Sequence, residues 1–200
     1  MKNCRLAIIT IMLFALSGCF PPSYVKIEQP NMPFERPGYR IYSPEGEGWL
    51  FVESDQLGQY NMVFGLPQKS RTHTLYARIV EVPSDATFDS PKDFQSFIQK
   101  QNKIGSDPHR YKIVKEEYQF DSKFGDYSIS HYSLVEDHGA YQLDDAPYLL
   151  METMYYKFIH PHNKKHIISV IYSERGKPNE LDGHFKEKAK AFIYGLNLKK

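Results

Sequence analysis

Three long segments rich in β-branched and aromatic residues lie close together in the second half of the chain, and they constrain its fold more than any other feature. They cover residues 111–120, 127–135 and 149–160. Residues 121–125 connect the first two segments, a length typical of a β-hairpin. Strands joined so closely pair antiparallel, because a parallel pair needs a crossover of about a dozen residues or more. The segments therefore predict an antiparallel sheet.

Shorter segments of similar composition extend this sheet in both directions along the chain. They predict further strands at residues 39–42, 49–52, 60–65, 73–82 and 166–172.

Two amphipathic helices are predicted, one before the long strands and one after them. The first begins at Ser90, with Pro91 at the first helical position and Asp93 completing a capping box. The second begins within residues 179–182 and ends at Gly195. Their apolar stripes are Phe94, Phe97, Ile98 and Ile104 in the first helix, and Leu181, Phe185, Ala189, Phe192 and Ile193 in the second. This order predicts one α+β domain over residues 39–200, with two amphipathic helices packed on a twisted antiparallel β-sheet.

The first residues have the pattern of a secretory signal peptide. Lys2 and Arg5 precede an apolar run over residues 6–16. The run is too short to cross a bilayer core of roughly 30 Å as a helix. A positive start followed by a short apolar run is typical of a signal for export.

Leu16-Ser17-Gly18-Cys19, which ends this run, resembles the bacterial lipobox. The resemblance implies a lipoprotein signal peptide over residues 1–18 and palmitate-type acyl chains on Cys19. Two or more chains give stable membrane anchoring, whereas one chain binds only marginally. Phe20 follows the cysteine instead of the aspartate that retains enterobacterial lipoproteins in the inner membrane. We therefore expect a cell-envelope protein on the periplasmic face of the outer membrane.

Residues 20–38 contain five prolines and no sustained apolar period. Proline lacks the N–H that a strand or helix interior needs, and it stiffens an extended chain. The sequence therefore predicts that residues 19–38 form a lipidated, proline-rich tether. As a flexible coil this tether spans roughly 25 Å.

The order of the elements, Gly48-Trp49 near the start of the domain and the closing amphipathic helix resemble the PsbP/Mog1-like fold over residues 39–198. Members of this fold include photosystem subunits, a Ran-binding nuclear protein and bacterial lipoproteins, and most of them are not enzymes. The resemblance implies a binding or assembly role and identifies no ligand.

Composition excludes several classes of protein. The 25 basic and 24 acidic residues leave a net charge of +1, which offers no basic surface for nucleic acid. Two cysteines, Cys4 and Cys19, cannot form a disulfide-rich scaffold or a four-cysteine zinc site. Phosphate-binding glycine loops and HExxH helices are also missing from the sequence. No cofactor is expected.

Three histidines around one predicted turn are weak candidates for a metal site. His160, His162 and His166 lie close together, and imidazole is a good ligand for zinc and copper. No cysteine or carboxylate nearby completes a coordination shell, and Lys164 and Lys165 place positive charge beside the cation. We expect ordinary turn residues, with periplasmic metal binding as the alternative.

A hydrolase is a further alternative, because Ser173 follows a strand in a region that also contains histidines. The chain lacks the Gly-x-Ser-x-Gly motif that exposes a nucleophilic serine. Strand parity places Ser173 and Glu174 on opposite faces of the sheet. We expect Glu174 or Arg175 to tie the strand end to a loop through an ion pair. We also expect a partner for Arg78, which lies within an otherwise apolar strand.

The remaining polar and aromatic clusters lack a specific motif. Glu136, Asp137, Asp144 and Asp145 do not have the spacing of a calcium loop, so they predict a solvated acidic loop. His131 is expected to be an ordinary sheet histidine. Tyrosines crowd into residues 127–156 and would supply a face for protein or glycan binding; they are Tyr127, Tyr132, Tyr141, Tyr148, Tyr155 and Tyr156.

The sequence thus predicts a membrane-anchored binding or assembly module without catalytic activity. Its partners are the membrane, through the N-terminal lipid, and a protein of the envelope.

Overall fold

The structure, a computed structural model, describes residues 25–54, 60–67, 71–104, 107–139 and 146–199. The predicted signal peptide, Cys19, Tyr141 and the acidic pair Asp144 and Asp145 lie outside these residues. The strands are β1 (Val25–Lys26), β2 (Pro33–Arg36), β3 (Tyr39–Tyr42), β4 (Leu50–Ser54), β5 (Tyr60–Pro67), β6 (Thr72–Glu81), β7 (Tyr111–Phe120), β8 (Ser128–Asp137), β9 (Leu149–Ile159), β10 (His166–Gly176) and β11 (Asn197–Leu198). The described residues also form the helices α1 (Pro91–Ile104) and α2 (Phe185–Tyr194) and a 3-10 helix (Ser122–Phe124).

Eight of these strands form one antiparallel sheet, in the order β1-β4-β5-β6-β10-β9-β8-β7. Its centre is the pairing of β6 with β10, which runs from Glu81 opposite His166 to Thr72 opposite Arg175. The predicted hairpin between β7 and β8 is present. Strands β11, β3 and β2 form a second, three-stranded sheet. The α+β fold class with an antiparallel sheet and two helices is therefore confirmed.

Different helices cover the two faces of the large sheet. Phe185, Ala189 and Ile193 of α2 belong to the larger core, on what we call the α2 face. Phe94 and Ile98 of α1 pack on the opposite side, the α1 face. Because successive strand residues point to opposite faces, alternate residues of β6 and β10 contribute to the two cores. One sheet thus carries two chemically separate surfaces.

The start of α1 is the predicted capping box. The Asp93 backbone N–H donates to Ser90 Oγ at 3.2 Å, and the Ser90 hydroxyl donates to Asp93 Oδ2 at 2.8 Å. Pro91 occupies the first helical position, where its missing N–H costs nothing.

The start of α2 predicted at residues 179–182 is wrong, because the helix begins at Phe185. Asp182 caps a turn instead, since its Oδ1 accepts the His184 N–H at 2.9 Å. Its own N–H is held by Glu174 Oε1 at 2.6 Å. Leu181 consequently precedes the helix and is only half-buried. The predicted end at Gly195 is confirmed, because α2 closes on the Gly195 N–H, 3.1 Å from the Ala191 carbonyl oxygen.

The predicted tether over residues 19–38 is corrected at its C-terminal part. Residues 25–38 belong to the folded domain, because β1 pairs with β4 and β2 pairs with β3. Ile27 is buried, and its N–H donates to the Trp49 carbonyl at 2.9 Å. The prolines in this segment argued against strands in the sequence. Pro33 nevertheless opens β2, because a strand tolerates proline at its first residue.

The other predicted strands are present with shifted ends. The largest shift is in β10, which continues past Tyr172 to Gly176 and so includes Glu174. Strand β9 ends at Ile159, which leaves His160 in the turn that follows. No helix among the described residues is long and apolar enough to cross a membrane.

Candidate functional site

A cleft with a volume of about 650 Å³ opens on the α2 face. It lies between α2, the start of β6 and the loop over residues 43–49 that joins β3 to β4. Its aromatic lining consists of Tyr42, Trp49, Tyr172 and Phe192. Clefts with mainly apolar walls and a few placed polar groups are typical of binding sites.

Hydrogen bonds with the backbone hold the loop over residues 43–49 in place. The Ser43 hydroxyl accepts the Met32 N–H at 2.9 Å, and Trp49 Nε1 donates to the Glu45 carbonyl at 2.9 Å. Gly46 has a φ of +94°, a conformation that favours glycine. The loop therefore presents Trp49 to the cleft in a fixed position.

Behind the lining residues Arg71, His73 and Asp182 lies a buried carboxylate, that of Glu174 in β10. This residue is only 1% exposed. Its Oε2 lies 2.8 Å from Arg71 Nη2, and its Oε1 accepts the Asp182 N–H at 2.6 Å. Arg71 also lies 3.6 Å from Asp182, which in turn pairs with Lys188 of α2. The ion pair predicted for the end of this strand is therefore present, and it extends into a network of four charged groups.

His73 is the titratable group placed between this network and Trp49. It is 8% exposed, and its ring centroid lies 6.0 Å from that of Trp49 in an edge-on arrangement. Its Nδ1 lies 3.7 Å from Glu174 Oε2 and has no hydrogen-bond partner. Burial lowers the pKa of His73, and the positive charge of Arg71 lowers that pKa further. The ring is therefore neutral at neutral pH.

The cations in the described lining of the cleft are already compensated. Arg71 and Lys188 are each paired with a carboxylate. The serine in the described lining is Ser43. Its hydroxyl donates to the Gln29 carbonyl at 3.4 Å and accepts the Met32 N–H at 2.9 Å. It has no base paired with it in this arrangement. At the mouth, Glu45 and Glu47 are exposed.

The histidine cluster does not assemble a metal site in the described chain. His160 is buried; its Nε2 hydrogen bonds with the Gly38 carbonyl at 3.0 Å, and its Nδ1 accepts the N–H groups of His162 and Asn163 at 3.1 Å. Nε2 thus fastens the β9–β10 turn to the β2–β3 turn, and Nδ1 holds the β9–β10 turn itself together. Across the described residues, no group of three or more His, Cys, Asp or Glu is placed to hold a metal.

Ser173, the candidate of the hydrolase alternative, lies on the α1 face, and Glu174 lies on the opposite face, as strand parity predicts. Its hydroxyl hydrogen bonds with Thr153 Oγ1 at 2.9 Å and with the Glu152 carbonyl at 3.2 Å. Neither partner is a histidine, so the described contacts give this serine no general base.

Three further charged or titratable residues are held by specific partners; they are Arg175, Asp137 and His131. Arg175 pairs with Asp137, the last residue of β8, since its Nε lies 3.1 Å from Asp137 Oδ2. Asp137 is 1% exposed and also binds Arg110, so it is a buried ion-pair partner and not part of a solvated loop. His131 is a buried sheet residue whose Nε2 hydrogen bonds with Glu116 at 2.9 Å, as expected.

The tyrosines of the long strands do not form one binding face. Tyr155 belongs to the core under α1, whereas Tyr156 belongs to the core under α2. The Tyr127 hydroxyl donates to the Phe88 carbonyl at 3.3 Å, and the Tyr132 hydroxyl donates to Glu152 at 2.8 Å. These side chains serve packing and internal hydrogen bonding.

No protein family profile matches the chain. No curated protein matches it either. Two solved structures are similar over 90% of this chain and 96% of their own. One is a mutant of the protein Mog1, with 9% sequence identity and a TM-score of 0.42. The other is the Ran-binding protein Mog1p of Saccharomyces cerevisiae, with 10% identity and a TM-score of 0.40. The likeness concerns the fold alone, and nothing about ligands is derived from it.

The cleft itself was not foreseen from the sequence. Arg71 and Glu174 are 103 positions apart, and His73 lies in a segment that reads only as a strand. One signal was available in the sequence. Glu174 has the parity of a buried face of β10, and a buried acidic residue in a central strand requires a cationic partner.

The acid dependence of stability tests the position of His73. Its unfolded pKa is near 6.5, and its folded pKa is lower, so the unfolded state binds more protons between the two values. Stability conferred by the neutral ring is therefore lost as the pH falls from about 6.5 toward the folded pKa. We expect the His73→Gln variant to lose less unfolding free energy than the wild type between about pH 7 and 5.

Urea unfolding at a series of pH values measures this difference. The matched control is His109→Gln, because His109 is exposed. Parallel pH profiles for the wild type and His73→Gln would show that the ring is not held neutral in the folded protein.

Proposed function

We propose that this chain is a lipid-anchored protein of a bacterial cell envelope that faces the periplasm and binds a partner protein through its cleft, without catalysis. The observation that carries the binding role is the cleft on the α2 face, whose internal charges are already paired. Arg71, Glu174, Asp182 and Lys188 neutralise one another. A preformed cleft whose charges are paired internally binds through its apolar walls and takes specificity from a few placed polar groups.

The anchor in this proposal is Cys19, within Leu16-Ser17-Gly18-Cys19. Strand β1 starts at Val25, six positions after Cys19. Six residues span at most about 20 Å when fully extended. The lipid would therefore hold the β1 edge of the large sheet close to the membrane surface. Phe20 supports the outer membrane as the site of anchoring.

The rim of the cleft supports a partner with basic groups. Glu45 and Glu47 are exposed, and they lie on the loop that forms the mouth. The cationic groups of the described lining, Arg71 and the exposed Lys188, already have carboxylate partners. A basic segment of an envelope protein would pair with the two rim carboxylates and place apolar side chains against Trp49 and Phe192. Opposite charges at a rim favour association rate and specificity.

Replacement of Cys19 tests the anchor. We expect Cys19→Ser to abolish incorporation of labelled palmitate and to leave the protein unprocessed, because the hydroxyl cannot take the thioether-linked lipid. The matched control is Cys4→Ser, which removes the other cysteine and should label and mature as the wild type does. If Cys19→Ser still takes up palmitate, or if Cys4→Ser loses it, the proposed anchor is wrong.

Site-specific crosslinking tests the cleft. A photoreactive phenylalanine analogue in place of Tyr42 should capture a discrete envelope protein, whereas the same analogue at Tyr111 on the far edge of the sheet should not. Because the rim carboxylates attract the partner, the double variant Glu45→Lys, Glu47→Lys should lower the capture at position 42 several-fold. Capture that is equal at both positions, or unchanged by charge reversal, contradicts binding through the cleft.

A further inference from the structure

Lys157, Ser169 and Arg78 lie side by side on the α1 face, across β9, β10 and β6. Ser169 is directly opposite Lys157 in one strand pair and directly opposite Arg78 in the other. Directly opposite residues point to the same face, with Cβ atoms about 5 Å apart. The row thus places a hydroxyl group between two cations.

Lys157 is half-buried at the end of α1. Its Nζ donates to Asn102 Oδ1 at 2.9 Å and lies 4.8 Å from the centroid of the Tyr155 ring. Burial lowers the pKa of Lys157 to about 8, and the positive charge of Arg78 adds to the effect. The two cations are therefore close enough to repel each other.

Arg78 lacks the partner that its position in the strand led us to expect. It is half-buried, and its Nε is buried without a hydrogen-bond partner. Its guanidinium carbon lies 5.9 Å from the centroid of the Tyr76 ring. Among the residues that the structure describes, no carboxylate pairs with Arg78 or Lys157.

Other arginines in this fold have the carboxylate that Arg78 lacks. Arg71 pairs with Glu174, and Arg110 and Arg175 share Asp137. On the α1 face itself, the acidic group of β7 is Glu116, and it is bound to His131 and Tyr118. The protein thus compensates other cations with carboxylates, whereas this half-buried pair has none among the described residues.

We propose that Lys157, Ser169 and Arg78 form a binding site for a phosphate group. Two half-buried like charges repel each other and have lost part of their hydration, and a bound anion relieves both costs. Hydrogen bonds between charged donors and phosphate oxygens are among the strongest in proteins. A tetrahedral phosphate presents oxygens in several directions, so it can reach both cations, with the buried Ser169 hydroxyl between them.

This site is independent of the cleft, because it lies on the opposite face of the sheet. The phosphate has two chemical sources, a free phosphate or soluble ester and the headgroup of an anionic lipid. Both would offer the same oxygens to Arg78 and Lys157.

Protection of Lys157 from an amine-selective acylating reagent at pH 8 tests the site. The full chain in neutral detergent is labelled with and without inorganic phosphate, and acylation is read by peptide mass spectrometry. Chloride at equal ionic strength controls for screening, and exposed Lys100 on α1 is the internal control. At a phosphate concentration of about ten times Kd, labelling of Lys157 should slow roughly tenfold, because protection follows occupancy. Lys100 should be unaffected.

A lipid arm distinguishes the two sources. The micelles are doped with phosphatidylglycerol or, as the matched control, with diacylglycerol of the same acyl chains. Protection by inorganic phosphate supports a free phosphate ligand. Protection by phosphatidylglycerol alone supports a lipid headgroup. If neither phosphate source protects Lys157 beyond chloride and diacylglycerol, the proposal is overturned.

Variants at Arg78 complete the test. We expect Arg78→Gln to remove the protection of Lys157 and Arg78→Lys, which keeps the charge without the planar fork, to retain part of it. Far-UV circular dichroism checks that each variant is folded, and if Arg78→Gln does not fold, the reduced protection in Arg78→Lys decides. Full protection in a folded Arg78→Gln protein overturns the role of Arg78 in the site.

Discussion

The buried carboxylate of Glu174 is the interaction on which the cleft depends. It binds Arg71 at the start of β6 and the Asp182 N–H in the segment that leads to α2. A single side chain on β10 therefore fixes one neighbouring strand, one turn and the entry to a helix. Without Glu174, Arg71 would lose its carboxylate and the Asp182 N–H would lose its acceptor, in a place with little access to water. The wall of the cleft follows from this one group.

In the part of the chain that the structure describes, charge is compensated beside the cleft on the α2 face but not in the row of Arg78 and Lys157 on the α1 face. On the α2 face, Glu174 and Asp182 compensate the cations Arg71 and Lys188. On the α1 face, Arg78 and the lysine beside it have no carboxylate partner among the described residues. His73 and Arg78 have opposite parity on β6, so the first points to the α2 face and the second to the α1 face. One strand thus contributes to a balanced cleft on one side and to an anion site on the other.

Much of the fold could be predicted from the sequence because its signals are local. The capping box at Ser90 and Asp93 and the strand over 111–120 depend on neighbours within a few residues. The charged network behind the cleft could not be predicted, since Arg71 and Glu174 meet only after the sheet forms. His160 shows the same limit: it looks like a metal ligand in the sequence, yet it binds the carbonyl of Gly38, 122 positions away. Strand β1 was missed for a related reason, because its partner β4 lies farther along the chain, whereas β2 was hidden by its prolines beside its neighbour β3.

The effect of Glu174→Ala on unfolding free energy tests the central claim most directly. Removing one partner of a buried ion pair costs several kcal/mol, and Arg71 keeps 25% of its side chain exposed, so we expect a loss of about 3 kcal/mol. Glu35→Ala is the matched control, because Glu35 pairs with Arg40 on the surface and its removal should leave the urea midpoint nearly unchanged. A loss of less than about 1 kcal/mol for Glu174→Ala would contradict the account, since surface ion pairs contribute that little.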